Sequence, residues 1–456
     1  MNPQRGLSWW GIARLGLVQT MLGAIIVLTT STLNRIMVVE LALPAMLPGF
    51  LVAVHHFVQL ARPRIGYGSD LGGRRTPWII GGMLLLAFSG FLAAAGTVVM
   101  GHSIVIGSVV AFIGFFGIGL GSGATGTSLL VLLAKEVEPA RKPAAATLVW
   151  FMMIAGFAIT ATVAGKFLDP YSPSRLLQVT GVVSLLAFCF ALLAVRGVER
   201  GSGSESDATE GSLDSSQPAE PFRQALSTIW QEKQARTFTL FVFVSMLAYS
   251  FQDLILEPFA GLVFGMTPGE STQLAGTQHG GVLLGMLAVA ASGSLVRSNS
   301  RHLLRIWTVG GCLASAAALS ALASGGLRAD TWHLSANVFA LGFCNGAFAV
   351  AAIASMMTLA SEGQAGREGL RMGLWGAAQA IAFALGGFLG TVAVDVCRQF
   401  VSESSHAYGL VFSFEAILFV MAAWLGLGVR VSKTSVATSS PSFGEVAVHE
   451  IMAGRQ

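Results

Sequence analysis

Charge is scarce in this chain of 456 residues: Asp, Glu, Lys and Arg make up 11% of it, against roughly 25% in a soluble domain. That scarcity excludes a solvated surface around a core of this size. With 54% hydrophobic residues and a mean hydropathy of +0.69, the chain belongs in a bilayer. Short alternating segments of the β-barrel kind are missing, so the backbone is expected to satisfy itself within helices. The net charge of +4 resides mostly in loop arginines and is no nucleic-acid footprint. Cysteine is scarce too. Cys189, Cys312, Cys344 and Cys397 stand singly with no CxxC pair and read as buried small hydrophobes. A P-loop, a His/Cys metal cluster and a nucleophile elbow are all lacking, so no enzyme is expected.

What is present is a series of apolar runs. About 20 apolar residues span a bilayer, and on that basis spans are expected near 16–39, 43–61, 77–99, 103–133, 145–167, 176–196, 237–256, 277–296, 303–324, 333–359, 371–396 and 408–429. Residues 1–15, with Arg5, Arg14, Trp9 and Trp10, form an interfacial lead-in. The apolar stretch after them is too long for a signal-peptide core and is expected to remain as a helix. With both termini placed in the cytoplasm and the loops alternated, only four of the 27 lysines and arginines fall outside: Lys166, Arg175, Arg328 and Arg398. Arg35 lies within the first span, and the rest fall inside, as the positive-inside rule requires of twelve spans.

Residues 201–220 hold no Lys or Arg and are rich in Ser, Gly, Asp and Glu, which marks a flexible linker. The linker region, 201–236, divides two six-helix bundles at 16–200 and 237–430. Phe222, Leu226, Ile229 and Trp230 within it recur at helical spacing, as on a surface-lying amphipathic helix. Residues 431–456 read as a loose polar tail. The halves echo each other weakly: Ala134-Lys135-Glu136 leads to Arg141 as Ala360-Ser361-Glu362 leads to Arg367.

Polar residues inside spans are costly and point to function. Asn34 and Arg35 lie near the outer end of the first span, with Glu40 following; they read as a cavity element or as interfacial residues that pair locally. Gln252, Asp253 and Glu257 lie in the seventh, and the i, i+4 spacing puts both carboxylates on one helix face. His55 and His56 sit in the second span with Gln59 one turn on; either imidazole suits a chlorin magnesium, or both are hydrogen-bonded within the bundle. His279 in the eighth has the same two readings. Gly117-x-x-x-Gly121, Gly119-x-x-x-Gly123, Gly342-x-x-x-Gly346 and Gly386-x-x-x-Gly390 read as close helix contacts. Trp78, Trp150, Trp307, Trp332 and Trp375 read as interfacial anchors.

Between the second and third spans, Gly66, Asp70, Gly73, Arg74 and Arg75 form the pattern G-x-x-x-D-x-x-G-R-R. The glycines permit a tight turn, the arginines hold it on the cytoplasmic side, and Asp70 suits a helix N-terminus. The pattern resembles the loop between the second and third helices of the major facilitator superfamily, which implies an all-α integral membrane fold of twelve transmembrane helices in two six-helix halves.

Three longer strings narrow this: Leu33-Asn34-Arg35-Ile36-Met37-Val38-Val39-Glu40-Leu41 before Pro44, Arg62-Pro63-Arg64-Ile65-Gly66-Tyr67-Gly68-Ser69-Asp70, and Gln252-Asp253-Leu254-Ile255-Leu256-Glu257-Pro258-Phe259 followed by Gly265-Met266. Together they resemble the PucC/LhaA family of purple phototrophic bacteria, over roughly residues 10 to 430. The resemblance implies an assembly factor for light-harvesting antenna complexes in the bacterial inner, intracytoplasmic photosynthetic membrane. It implies transiently bound bacteriochlorophyll, antenna polypeptides as partners, and contacts with lipid and with pigment-biosynthesis or membrane-insertion proteins. Asn34, Arg35, Glu40, Asp253 and Glu257 would then form its polar sites, with Gln59, Gln252 and a magnesium ligand at His55 or His56. The rival readings are a proton-coupled transporter of a small solute, carrying its proton on Asp253 or Glu257, and a pigment-free antenna scaffold.

Overall fold

The computed structural model describes residues 7–59, 74–138, 141–199, 230–295, 300–362 and 368–429. They form twelve helices in chain order. In the first half these are α1 (Trp9–Glu40), α2 (Met46–Val58), α3 (Thr76–Met100), α4 (Ile104–Glu136), α5 (Lys142–Leu168) and α6 (Pro173–Val195). In the second, α7 comes in two pieces, Lys233–Phe251 and Leu256–Phe264, joined through a 3-10 turn at Gln252–Leu254. It is followed by α8 (Pro268–Leu295), α9 (Ser300–Gly326), α10 (Leu334–Glu362), α11 (Glu368–Phe400) and α12 (Ser404–Gly428). Eleven of the twelve are long and apolar enough to cross a membrane; α2 has 13 residues here, and its expected end at 61 lies outside the described residues. The chain is a multi-pass membrane protein.

The sequence dictates several helix ends. Ser8 caps α1 by accepting from Gly11 N–H, so the helix starts seven residues before the expected 16 and the lead-in tryptophans belong to it. Ser103 caps α4 and Ser172 caps α6 in the same way. Arg74 and Arg75 enter α3, and the Glu199 carboxylate accepts from the N–H groups of Arg75 (2.7 Å) and Thr76 (2.9 Å). Burial opposes ionisation of Glu199, but these bonds, the Thr76 hydroxyl and the Arg74 charge together hold its carboxyl below the usual range. Gly66, Asp70 and Gly73 lie outside the described residues, as does the stretch 222–229 of the expected amphipathic helix.

Each half has its own apolar core. Leu15, Leu22, Met83, Leu86 and Phe115 belong to the first, and Phe238, Phe241, Phe259, Phe348 and Phe419 to the second. Helices with small-residue faces pack closest. Gly121 lies against Gly82 and Leu86 of α3; Gly342 and Gly346 lie against Gln278 and Val282 of α8; Gly386 and Gly390 lie against Ser250 and Phe251 of α7. Trp375 is no interfacial anchor: it is buried, with its ring centroid 4.8 Å from that of Phe238. Nor is every cysteine buried, since Cys189 lies on the outer face of the bundle.

The halves meet along α2–α11, α5–α8 and α1–α7. A small apolar cluster of Val27, Leu28, Ala161, Ala164 and Ala275 joins α1, α5 and α8.

Candidate functional site

Helices α1 and α7 are both interrupted where they face each other. In α1, the α-helical turn Leu33–Arg35 is bracketed by π-helical segments at Leu28–Thr32 and Ile36–Glu40. Such segments widen a helix locally and often accompany functional sites. In α7, the 3-10 turn Gln252–Leu254 corrects the expectation that Asp253 and Glu257 share one face of a continuous helix. Asp253 keeps exposed surface, while Gln252 and Glu257 are buried.

The two interruptions are joined by polar contacts. Asn34 Nδ2 donates to the Leu254 carbonyl at 2.7 Å, which supplies an acceptor that the broken helix leaves free. Arg35, 2% exposed, pairs with Glu40 and donates to the Met266 carbonyl at 2.6 Å. Its guanidinium lies over Gly261, where a Cβ would meet Nε and NH2 at 3.2 and 3.1 Å. Gly261 is one turn after Glu257, so Arg35 lies across the helix face that carries this buried carboxylate, and their charges interact. Thr32 and Thr272 hydroxyls meet at 3.1 Å.

These contacts gather at the end of the bundle away from the linker, and two carboxylates reinforce them there. Asp395 of α11 accepts from the N–H groups of Ala45 (3.0 Å) and Met46 (2.7 Å), capping α2 across the divide. Asp169, after α5, accepts from the Thr267 hydroxyl (2.6 Å) and Gly269 N–H (3.1 Å) at the start of α8. A cavity of about 700 Å³ opens beside them, lined by Arg35, Glu40, Asp169, Tyr171, Gly261 and Met266 among others. Burial first, then the charge of Glu40, pushes the Tyr171 phenol up, against the opposing influence of Arg35.

Polar capacity is left over at this seam. Both carboxylate oxygens of Glu257, both ends of the Gln252 amide, Asn34 Oδ1 and Arg35 Nε are buried without a hydrogen-bond partner. Burying such groups unpaired costs about 1–3 kcal/mol each.

The histidines lie elsewhere. His55 is buried, with its Nε2 2.9 Å from Gln59 Nε2. His56 is half-buried, and its ring stacks with Phe383 of α11 at 6.4 Å, on the α2–α11 seam. Of the two, His56 has the accessible ring. His279 bonds its own helix at Ala275 O (2.8 Å) and meets Phe157 of α5 edge-on at 5.0 Å. Among the described residues, no three His, Cys, Asp or Glu side chains are grouped to hold a metal ion.

Sequence reasoning missed Asp169, Asp395 and Glu415. Glu415 is a lone carboxylate in the apolar run of α12, a signal open to the same rule that singled out Arg35.

Two bundles of six helices facing each other across such a seam define a transporter-type architecture of the major facilitator kind. The nucleoside transporter NupG superimposes with a TM-score of 0.64 at 14% identity over 93% of this chain and 100% of that one. A D-xylose-proton symporter does so with a TM-score of 0.64 at 14% identity, over 93% and 99%. Within that architecture, the profile of the PUCC protein family matches residues 32–434, and the chain belongs to this family. It is 50% identical over 446 residues to the "Bacteriochlorophyll synthase 44.5 kDa chain" of Rhodobacter capsulatus, covering 96% of this chain and 100% of that protein. It is 30% identical over 436 residues to "Protein PucC" of the same organism, covering 90% of each.

Proposed function

We propose that this protein is a non-catalytic assembly factor that binds bacteriochlorophyll and hands it to light-harvesting antenna polypeptides in a bacterial inner membrane, with both termini cytoplasmic. The observation that carries the reading is the set of unpartnered polar atoms at the α1–α7 seam of Gln252, Glu257, Asn34 and Arg35, buried within an apolar bundle. A bacteriochlorophyll has a flat apolar ring with polar carbonyl groups at its edge. Donors from Gln252 and Arg35 suit those carbonyls, and the apolar walls suit the ring. The imidazoles of α2 lie away from this seam, with His56 on the α2–α11 contact, and are not part of this set of groups. The family membership and the half-identical relative named for bacteriochlorophyll synthesis support the choice of pigment.

The test is gentle purification from phototrophically grown cells, with an absorption spectrum and mass spectrometry of what is retained. Unmodified bacteriochlorophyll together with antenna polypeptides is the expected result, with pigment reduced in Gln252→Leu and Arg35→Ala. Antenna polypeptides without pigment would reduce the protein to a scaffold, and a colourless protein with neither would overturn the reading. The second reading is a proton-coupled transporter. It is favoured by the fold shared with solute carriers and by the carboxylates of α7. Substrate-dependent flux in proteoliposomes is its test.

A further inference from the structure

The loop that joins α9 to α10, at the end of the bundle away from the linker, is tightly built. Arg328 N–H donates to the Gly325 carbonyl (2.9 Å), and Thr331 N–H donates to the Arg328 carbonyl (3.1 Å). The Trp332 indole N–H donates to Asn337 Oδ1 (3.2 Å), and Asn337 Nδ2 donates to the Ala318 carbonyl of α9 (3.0 Å), which pins the indole against that helix. Gly325 makes room for it, since a Cβ there would overlap the indole. Loop and helix together border an open cavity of about 540 Å³, lined by Ser320, Ala321, Ser324, Leu327, Arg328 and Trp332.

This cavity lies on the lipid side of α9. The helix face that carries Ser320 and Ser324 also carries Ile306, Leu313 and Leu327, exposed at 52%, 48% and 56%. Its other faces carry Cys312, Leu319 and Leu322, which are buried. On an apolar bundle, large exposed side chains of this kind meet acyl chains. Arg328 comes just past the last turn of α9. A helix of 27 residues measures about 40 Å, enough to cross the hydrocarbon and bring its end to headgroup depth.

The Arg328 guanidinium has no hydrogen bond or ion pair with the described residues, and Asp330, two positions on, does not pair with it. Arg175, at the same end, is by contrast engaged with the Pro170 carbonyl (3.0 Å). The serine hydroxyls are held by their own helix, Ser320 on Ala316 O and Ser324 on Ser320 O, both at 2.9 Å. Each keeps acceptor lone pairs for an outside donor.

We propose that this cavity is a binding site for the headgroup of an anionic phospholipid. Arg328 takes the phosphate, which a planar guanidinium suits. The serine hydroxyls accept from hydroxyl donors of a headgroup such as that of phosphatidylglycerol. Trp332 and Leu327 cover the glycerol region, as aromatic and apolar residues do at a membrane interface. The acyl chains run inward along α9 at Ala317 and Leu313. A zwitterionic headgroup brings its own cation toward the same arginine and gains less. No residue of the α1–α7 seam takes part, so the inference stands without the pigment reading.

Native mass spectrometry tests it, on the full-length protein delipidated in detergent and titrated with phosphatidylglycerol or phosphatidylcholine. The first phosphatidylglycerol is expected to bind about fivefold or more tighter than the first phosphatidylcholine. Arg328→Gln is expected to abolish that preference. Ser324→Phe fills the cavity but keeps Arg328, and is expected to weaken the first phosphatidylglycerol as much. Arg398→Gln removes another exposed arginine at the same end and is expected to change nothing. Ser324, Arg328 and Arg398 are all exposed, so the variants keep the fold. Equal binding of the two lipids would overturn the proposal, as would a preference that survives Arg328→Gln or Ser324→Phe. An equal loss in Arg398→Gln would replace the site with diffuse surface charge. Displacement of the lipid by inorganic phosphate at equal concentration would make this a site for a free anion, and overturns the proposal as well.

Discussion

Helices α1 and α7 occupy equivalent places in the two halves and end alike. Ala42 after α1 and Gly265 after α7 both have positive φ, 51° and 65°. The next residue then reaches back, Leu43 N–H to Met37 O (2.9 Å) and Met266 N–H to Ala260 O (3.2 Å). Their polar residues differ. In α1 the charge is largely spent, with Arg35 on Glu40 and Met266 O and Asn34 on Leu254 O. In α7 the Gln252 amide and the Glu257 carboxylate are buried without partners. A helix whose polar atoms are paired across the divide fastens the halves together. One whose polar atoms are buried and idle carries a stability cost that only a ligand or a proton offsets. The first half therefore reads as the clasp and the second as the working side.

That contrast can be broken most sharply at Arg35. Arg35→Ala removes the buried partner of an ion pair whose Glu40 end keeps exposed surface, together with the bond to the Met266 carbonyl, and a loss of about 2–3 kcal/mol is expected in chemical unfolding in detergent. A loss no larger than that of an average surface substitution would erase the distinction. Gln252→Leu is the converse probe. It removes an idle buried amide and is expected to stabilise the ligand-free protein by about 1–3 kcal/mol while lowering pigment retention, as read by unfolding and absorbance together. Destabilisation would mean that the amide has a structural partner. Asp395→Ala deletes the cap that α11 gives α2, and a loss of about 1–2 kcal/mol is expected, with faster hydrogen exchange at Ala45 and Met46. The smallest effect is expected at Ala42, where a non-glycine residue stands in the conformation that α7 gives to Gly265. Ala42→Gly should gain about 1 kcal/mol in the same unfolding assay, and a loss would show that the two helix ends are not equivalent.

Much of this was legible in residue order. Apolar runs of bilayer length fixed most helices, because a lipid environment leaves a backbone few other options. Asn34, Arg35, Gln252 and Glu257 stood out because a polar side chain inside such a run is costly. Other features were hidden for definite reasons. Trp375 has the composition of an interfacial anchor, and only packing against Phe238 shows that it faces the core. His55 and His56 are chemically alike, and their unequal access follows from the side of α2 that each takes. The π segments of α1 and the turn in α7 leave no periodic trace, since a local change of helical winding needs no change of residue type.

Composition and order alone settled that the chain is a multi-pass helical membrane protein, because lone apolar stretches partition and fold by local rules. They also carried the strings that resemble its family. Only the tertiary structure decided which polar groups meet. It brought Arg35 to Met266 and Asp395 to Ala45, and left Gln252 and Glu257 idle. Those pairings join residues 231 and 350 positions apart, and their geometry comes from how the two halves pack against each other rather than from any local preference.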